Sequence, residues 1–221
     1  MGPAHYRNAR YAVPVFVWFA GTERATIELD GWFQPGALVL PRSAEPELDA
    51  EGRARVSLFA FHVDDLRIAG VPLVRASYAE LLWRVAVQVA GRAAWWIAAC
   101  DLGSRPARVL AERAIHYPVR PARVAVDIDR IRAEAGPRAL AISVGRAARE
   151  RLSPECRPVL TGPRAEWEVP WGDDGLAAQL APVSVDTDSL GATTLGMSVT
   201  WAPVALVRTG RLHRCGSSRL R

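Results

Sequence analysis

Along most of this chain the apolar residues recur at every second position or run together in short blocks, with turn residues between the blocks. That pattern predicts strands rather than helices. Tyr11–Phe19 is rich in aromatic and β-branched side chains and suits a buried strand. Gly31, Pro35, Gly36 and Pro41 punctuate the next stretch and leave Ala37–Leu40 as a short strand. Val56–Val63 is apolar almost throughout, interrupted by His62 and ended by Asp64-Asp65. The clearest alternation is Glu80–Val89. Leu81, Trp83, Val85, Val87 and Val89 fall on one face, and Glu80, Leu82, Arg84, Ala86 and Gln88 on the other, because strand side chains repeat every two residues. A turn at Gly91-Arg92 then sends Ala93–Cys100 back as the second arm of a hairpin.

One helix stands out. Ser104 can cap it, Pro106 suits its first turn, and Arg108–Ile115 are helix formers with Val109, Leu110 and Ala114 as an apolar stripe. Pro118 stops it, because the residue before proline avoids helical dihedrals. Further strands are predicted over Arg123–Ile128, Ala139–Val144, Trp167–Val169, Val183–Asp186 and Leu195–Val207, the last broken by Pro203. Ile128–Ala135 reads as a short helix ahead of Gly136-Pro137. The expected class is mainly β (α+β) with one clear helix and minor short ones. A single domain over residues 1–208 is expected, followed by a frayed arginine-rich tail at 209–221.

Composition narrows the function classes. The chain has 221 residues, half of them hydrophobic, with 28 cationic and 23 acidic side chains. It contains no lysine, so every cation is an arginine. Arg208, Arg211, Arg214, Arg219 and Arg221 lie in a stretch without acids, and without those five the remainder is neutral. No clustered basic face with aromatic platforms appears, which argues against a nucleic-acid partner. Cys100, Cys156 and Cys215 are far apart and show no ligand spacing, so neither a metal nor another cofactor is expected. The run from Tyr11 to Ala20 is too short to span a bilayer, and Met1–His5 lacks the layout of a signal peptide. A cytoplasmic protein without membrane partners is the expectation.

From Tyr78 onward the order of motifs resembles the acetoacetate decarboxylase superfamily. That family reads tyrosine-x-glutamate, a strand, a glycine turn, a second strand, a proline-capped helix with Gly-Arg-Glu, and then Tyr-Pro-Lys-Lys. Here stand Tyr78-Ala79-Glu80, Gly91, Ala93–Cys100, Pro106, Ala111-Glu112-Arg113 and Tyr117-Pro118-Val119-Arg120. The start, Gly2-Pro3 and Asn8-Ala9-Arg10-Tyr11, and the closing stretch Leu195–Val207 are similar to the family as well. The resemblance implies an antiparallel β-barrel around a cone-shaped cavity, and a homo-oligomer. It also implies chemistry in which the first lysine of the pair forms an imine that acts as electron sink, its amine kept nucleophilic by desolvation or a nearby cation.

This chain departs from the family at that point. Val119 takes the place of the nucleophilic lysine and Arg120 that of its neighbour. Arginine stays protonated and is no nucleophile, so imine chemistry on a lysine is excluded. Glu80 matches the family's site glutamate. It is either a solvated strand-face charge or, as the resemblance implies, a cavity carboxyl suited to general acid–base work. Arg120 offers a fork of donors for a carboxylate or enolate oxygen. His116 can shuttle protons near neutral pH or simply cap the helix end. Arg10 stands one residue past the family's site arginine, whose place Ala9 takes, and such a step turns a strand side chain over. Tyr78 and Tyr117 can donate phenolic protons or pack. Trp96, with Trp83, Trp95 and Trp201, suits either a core or the wall of a substrate pocket. The expected function is a lysine-independent lyase, decarboxylase, dehydratase or cyclase. It would act on a small carbonyl-containing, β-keto-acid-like metabolite, with Glu80, Arg120 and His116 in catalytic roles and Arg10, Tyr78, Tyr117, Val119 and Trp96 lining the substrate. A non-catalytic small-molecule-binding barrel and a structural or oligomerisation protein are the alternatives.

Overall fold

The computed structural model describes residues 5–8, 11–14, 16–41, 43–68, 75–114, 117–148, 151–152, 157, 159–161, 167–169, 178–217 and 219–220. Strands β1 (His5–Asn8) and β2 (Tyr11–Pro14) form a separate hairpin. There follow β3 (Phe16–Phe33), β4 (Ala44–Pro46), β5 (Ala54–Ile68), β6 (Arg75–Val89) and β7 (Arg92–Leu102). Helix α1 (Arg105–Ala114) leads into β8 (Val119–Pro121), β9 (Arg123–Asp127), β10 (Arg130–Ala135) and β11 (Arg138–Val144). The remainder comprises β12 (Arg151–Leu152), β13 (Val159–Thr161), β14 (Trp167–Val169), β15 (Ala178–Asp188), helix α2 (Ser189–Leu195), β16 (Thr200–Trp201), β17 (Val204–Ser217) and β18 (Arg219–Leu220).

Among the described residues, sixteen strands join in one nearly closed sheet with the path β18-β14-β13-β7-β6-β5-β3-β17-β15-β11-β10-β9. Its pairings are antiparallel except that β8 and β13 run parallel to β7, so the expected antiparallel barrel is a mixed one. The central strands are buried on both faces and separate two cores. Ile27, Leu29, Val56, Leu58, Ala60, Leu81, Trp83, Val85 and Val87 build one core with Ile131, Leu140 and Ile142 of the far strands. Phe59, Phe61, Val63, Leu82, Ala86, Trp95, Ile97, Cys100 and Leu102 build the other, closed over by Ala111, Tyr117 and Val159. No helix among the described residues is long and apolar enough to cross a membrane.

Four expectations are corrected. Ala37–Leu40 is no strand, because Pro35–Ala37 winds into a single 3-10 turn. Ile128–Ala135 is no helix: β10 occupies Arg130–Ala135, where Ile131 and Ala133 point inward while Arg130, Arg132 and Glu134 face solvent. Leu195 ends α2, which Asp188 caps by accepting the Gly191 N–H at 2.7 Å and which Gly196 terminates in the left-handed region. Residues 209–217 are not a frayed tail, since β17 pairs with β3 as far as Ser217↔Phe16.

The β6–β7 hairpin closes through Ala90 and Gly91, flanked by the Val89↔Arg92 pair. Both turn residues have positive φ, 51° and 75°, as a two-residue hairpin turn requires. Alanine pays a steric penalty there that asparagine largely avoids. Ala90→Asn is expected to raise unfolding stability by about 0.5–1 kcal/mol in urea denaturation.

Candidate functional site

Register across the central strands sets out the site in rows. Arg208 of β17 stands opposite Thr26 of β3, Thr26 opposite Phe61 of β5, Phe61 opposite Glu80 of β6, and Glu80 opposite Leu102 of β7. The next row holds Leu206, Glu28, Phe59, Leu82 and Cys100, and a third holds Asp30, Ser57, Arg84 and Ile97. Side chains opposite one another share a face. One wall of the barrel therefore carries Glu80, Arg84, Arg208 and Glu28 among aromatic rings.

Glu80 is only 4% exposed. Tyr78, two residues earlier on the same face, sets its ring edge-on to Phe61 at 5.8 Å, and Phe61 lies 5.7 Å from Phe59. Val119 packs on the same core, paired with Cys100, and Tyr117 is buried beside it. Glu80, Tyr78, Tyr117 and Val119 are thus brought together. Cys100, 0% exposed, adjoins them. Burial first, then the negative charges of Glu80 and Asp101, push its thiol well above the usual value. That keeps the sulfur protonated, so it does not replace the missing lysine as a nucleophile.

Arg120 and Trp96 lie elsewhere. Strand β7 carries one residue more than β6 at Ala98, where the register steps from Trp83↔Ala99 to Arg84↔Ile97. A bulge of this kind re-aims the side chains beyond it. Cys100 and Leu102 therefore join Trp95 and Ile97 on the Glu80 face, and Asp101 turns to the opposite one. There Asp101, fully buried, accepts Arg120 Nε at 2.9 Å and Arg120 Nη2 at 2.6 Å, together with Trp83 Nε1–H at 2.7 Å. Arg120 is engaged away from Glu80, contrary to the expected convergence. Its bidentate clasp fixes β8 to β7, which seats Val119 against Cys100. Trp96 packs against the core on the Asp101 side, contrary to its expected place in the pocket wall. Arg10 and His116 lie outside the described residues. His62 also faces away from Glu80, with Nδ1 3.2 Å from the Val126 carbonyl oxygen.

The Glu80 face has cations that were not singled out as site residues. Arg84 Nη2 donates to Glu28 and, at 2.7 Å, to Ser57 Oγ, which itself donates to Glu28 at 3.2 Å. The Arg84 guanidinium lies 4.6 Å from the centre of Phe59 and 5.0 Å from that of Trp95. Arg208 reaches the same Phe59 at 5.8 Å. Arg55 and Arg157 stack on Trp95 at 5.1 and 5.3 Å, paired with Asp30 and Glu47. Burial outweighs Arg55 and lifts the Asp30 carboxyl above its ordinary value. The alternation of β6 already put Arg84 on the Glu80 face. Arg208 was hidden by its position at the start of the supposed tail. A separate open cleft of about 530 Å³, lined by Gly103, Arg108, Arg123, Glu134 and Gly136, contains none of the expected site residues.

No protein-family model and no curated protein matches the chain. Solved structures do. An acetoacetate decarboxylase from Legionella pneumophila superposes with a TM-score of 0.61 at 15% identity, over 96% of this chain and 92% of that one. An acetoacetate decarboxylase-like enzyme from Sphingomonas wittichii RW1 gives 0.62 at 13% identity, over 100% and 99%. The enduracididine biosynthesis enzyme MppR, complexed with pyruvate, gives 0.62 at 13% identity, over 100% and 98%. The chain has the acetoacetate-decarboxylase-like barrel fold, which the likeness to these enzymes shows at the level of fold.

The placement of Val119 is directly testable. Val119→Lys puts an amine on the Glu80 face in apolar surroundings that favour its neutral, nucleophilic form. Borohydride in the presence of pyruvate is expected to trap a covalent adduct on this variant, seen by intact-mass spectrometry, and none on the wild type. An unmodified variant would mean that position 119 does not face the site.

Proposed function

We propose that this chain is an enzyme that moves a proton at a carbon next to a carbonyl on a small acidic metabolite, without an imine. The observation that carries it is Glu80: a carboxylate 4% exposed, on an aromatic face, beside the valine that stands where the resembled family has its lysine. Charged side chains are seldom buried unless they are paired or serve a site. The fold's solved relatives include enzymes, which supports a catalytic role.

The chemistry balances without a lysine. As carboxylate, Glu80 takes a proton from the carbon and the C–H pair passes into the carbonyl, giving an enolate. In a decarboxylation the bond to the leaving carboxyl breaks instead. Carbon dioxide departs, the electron pair again forms the enolate, and Glu80, which enters this branch as the neutral acid, gives its proton to the carbon and takes another from solvent. Tyr78, two residues along the same face, supplies the phenolic hydrogen bond to the enolate oxygen. Arg120 acts as a positioning residue through Asp101. A cytoplasmic location and self-association belong to the same proposal.

A binding barrel without turnover is the alternative. It is favoured by the lack of a nucleophile at Val119 and the protonated Cys100 thiol. Proton exchange separates the two. The wild type is expected to exchange the C3 protons of pyruvate in D2O, followed by NMR, and Glu80→Gln to slow this at least ~100-fold. Exchange at the same rate in both proteins would remove Glu80 from the mechanism.

A further inference from the structure

We infer that the cleft of about 530 Å³ between the start of α1, the β8–β9 corner and the β10–β11 turn is a second ligand site, built for a small acidic amino acid. This site is separate from the Glu80 face and does not depend on the function proposed there.

Three parts of the chain meet there without filling the space. A side chain on Gly103 would come within 3.1 Å of the Ala122 carbonyl oxygen, so glycine lets the start of α1 approach the β8–β9 corner. Gly136 turns β10 into β11 at a φ of 63°, and nothing lies within 4 Å of where its side chain would stand. Pro121, Ala122 and Ala135 complete the lining. Clefts of this volume hold small metabolites. The position is the outer end of the β7–β8 pair, just beyond Leu102↔Pro121.

The charged side chains that line the cleft are Arg108, Arg123 and Glu134. Arg108 Nη1 donates to the Leu102 and Gly103 carbonyl oxygens at 3.2 and 3.0 Å, which anchors the guanidinium in the wall. No carboxylate pairs with it among the described residues. Arg123 stands directly opposite Glu134 in the β9–β10 pair, where such side chains share a face. The two nevertheless form no ion pair, and neither has another partner among the described residues. The arginines Arg84, Arg55 and Arg157 differ, since each already holds a carboxylate. Two unpaired guanidinium groups and one carboxylate complement a molecule with two carboxylates and one ammonium. An acidic amino acid carries those three charges at neutral pH. A plain diacid would leave Glu134 facing only negative charge, and an amino acid with one carboxylate would leave an arginine unused.

L-Glutamate, glutarate and γ-aminobutyrate test this, because the second lacks only the ammonium and the third only the α-carboxylate. Titrations are followed by NMR at the Gly103 and Gly136 amides, which localise the ligand to the cleft. L-Glutamate is expected to shift both amides and to bind at least about threefold tighter than either analogue, a modest factor because Arg123 and Glu134 are exposed. Glu134→Gln should bring L-glutamate and glutarate to within about twofold of each other. Arg123→Gln should do the same for L-glutamate and γ-aminobutyrate. Both variants are first checked for an unchanged melting temperature, and Arg108 is left in place because it also holds the carbonyls at the end of β7. No shift at the two glycines, equal binding of L-glutamate and glutarate by the wild type, or a preference that survives in Glu134→Gln would each overturn the site. Glu80→Gln should leave the titration unchanged. Loss of L-glutamate binding in that variant would place the ligand on the other face and would equally overturn the inference.

Discussion

A strand that carries one residue more than its partner turns its side chains over beyond that point, and in β7 the extra residue is Ala98. Before it, Trp95 and Ile97 face the aromatic wall. After it, Cys100 and Leu102 do, and Asp101 is sent to the other side. The placing of Asp101 and Arg120 on the face opposite Glu80 follows from this step. Asp101 lands against Trp83 in the opposite core, where a lone ionised carboxylate would be untenable. Arg120 and the Trp83 indole N–H complete its hydrogen bonding. The clasp ties β8 parallel to β7 and brings Val119 and Tyr117 to the Glu80 face.

The barrel matches acetoacetate decarboxylase-like structures over nearly its whole length, at 13–15% identity, while the chain contains no lysine at all. Val119, where the sequence resemblance would put a lysine, is apolar, and the adjacent Cys100 thiol is kept protonated by burial and by two neighbouring carboxylates. The same wall carries Glu80, Glu28, Arg84 and Arg208 among aromatic rings. Such a surface suits proton transfer on an oriented acid better than covalent catalysis.

Several strands were legible in the sequence, β6 by its alternation and β7, β9, β11 and β15 by apolar-rich segments between turn residues, and α1 lies between its Ser104 and Pro118 signals. Alternation in β6 also placed Glu80 and Arg84 on one face. The Ala98 bulge was not legible, because Ala93–Cys100 is apolar on both faces and offers no polar residue to mark a change of side. Arg120 was placed at the site by the resemblance alone and Trp96 was left between core and pocket wall, and the register puts both on the Asp101 side. Arg130–Ala135 read as helix because alanine, arginine and glutamate are good helix formers, and the pairing with β9 and β11 overrode that preference. Helix α2 did leave a signature, with Asp188 at its start and Gly196 just past its end, but seven residues are too few for a helical stripe to show. Arg208 needed the β17–β3 register, a long-range pairing that local pattern does not encode.

The division of charges between the two faces is the central claim, and a pair of double-mutant cycles on unfolding free energy tests it. Arg120→Met combined with Asp101→Asn should show a coupling of about 1.5 kcal/mol or more, as for groups in direct contact, whereas Arg120→Met combined with Glu80→Gln should be additive to within about 0.5 kcal/mol. Strong coupling of Arg120 to Glu80 and none to Asp101 would mean that β7 does not turn over at Ala98 and that acid and guanidinium share one wall after all.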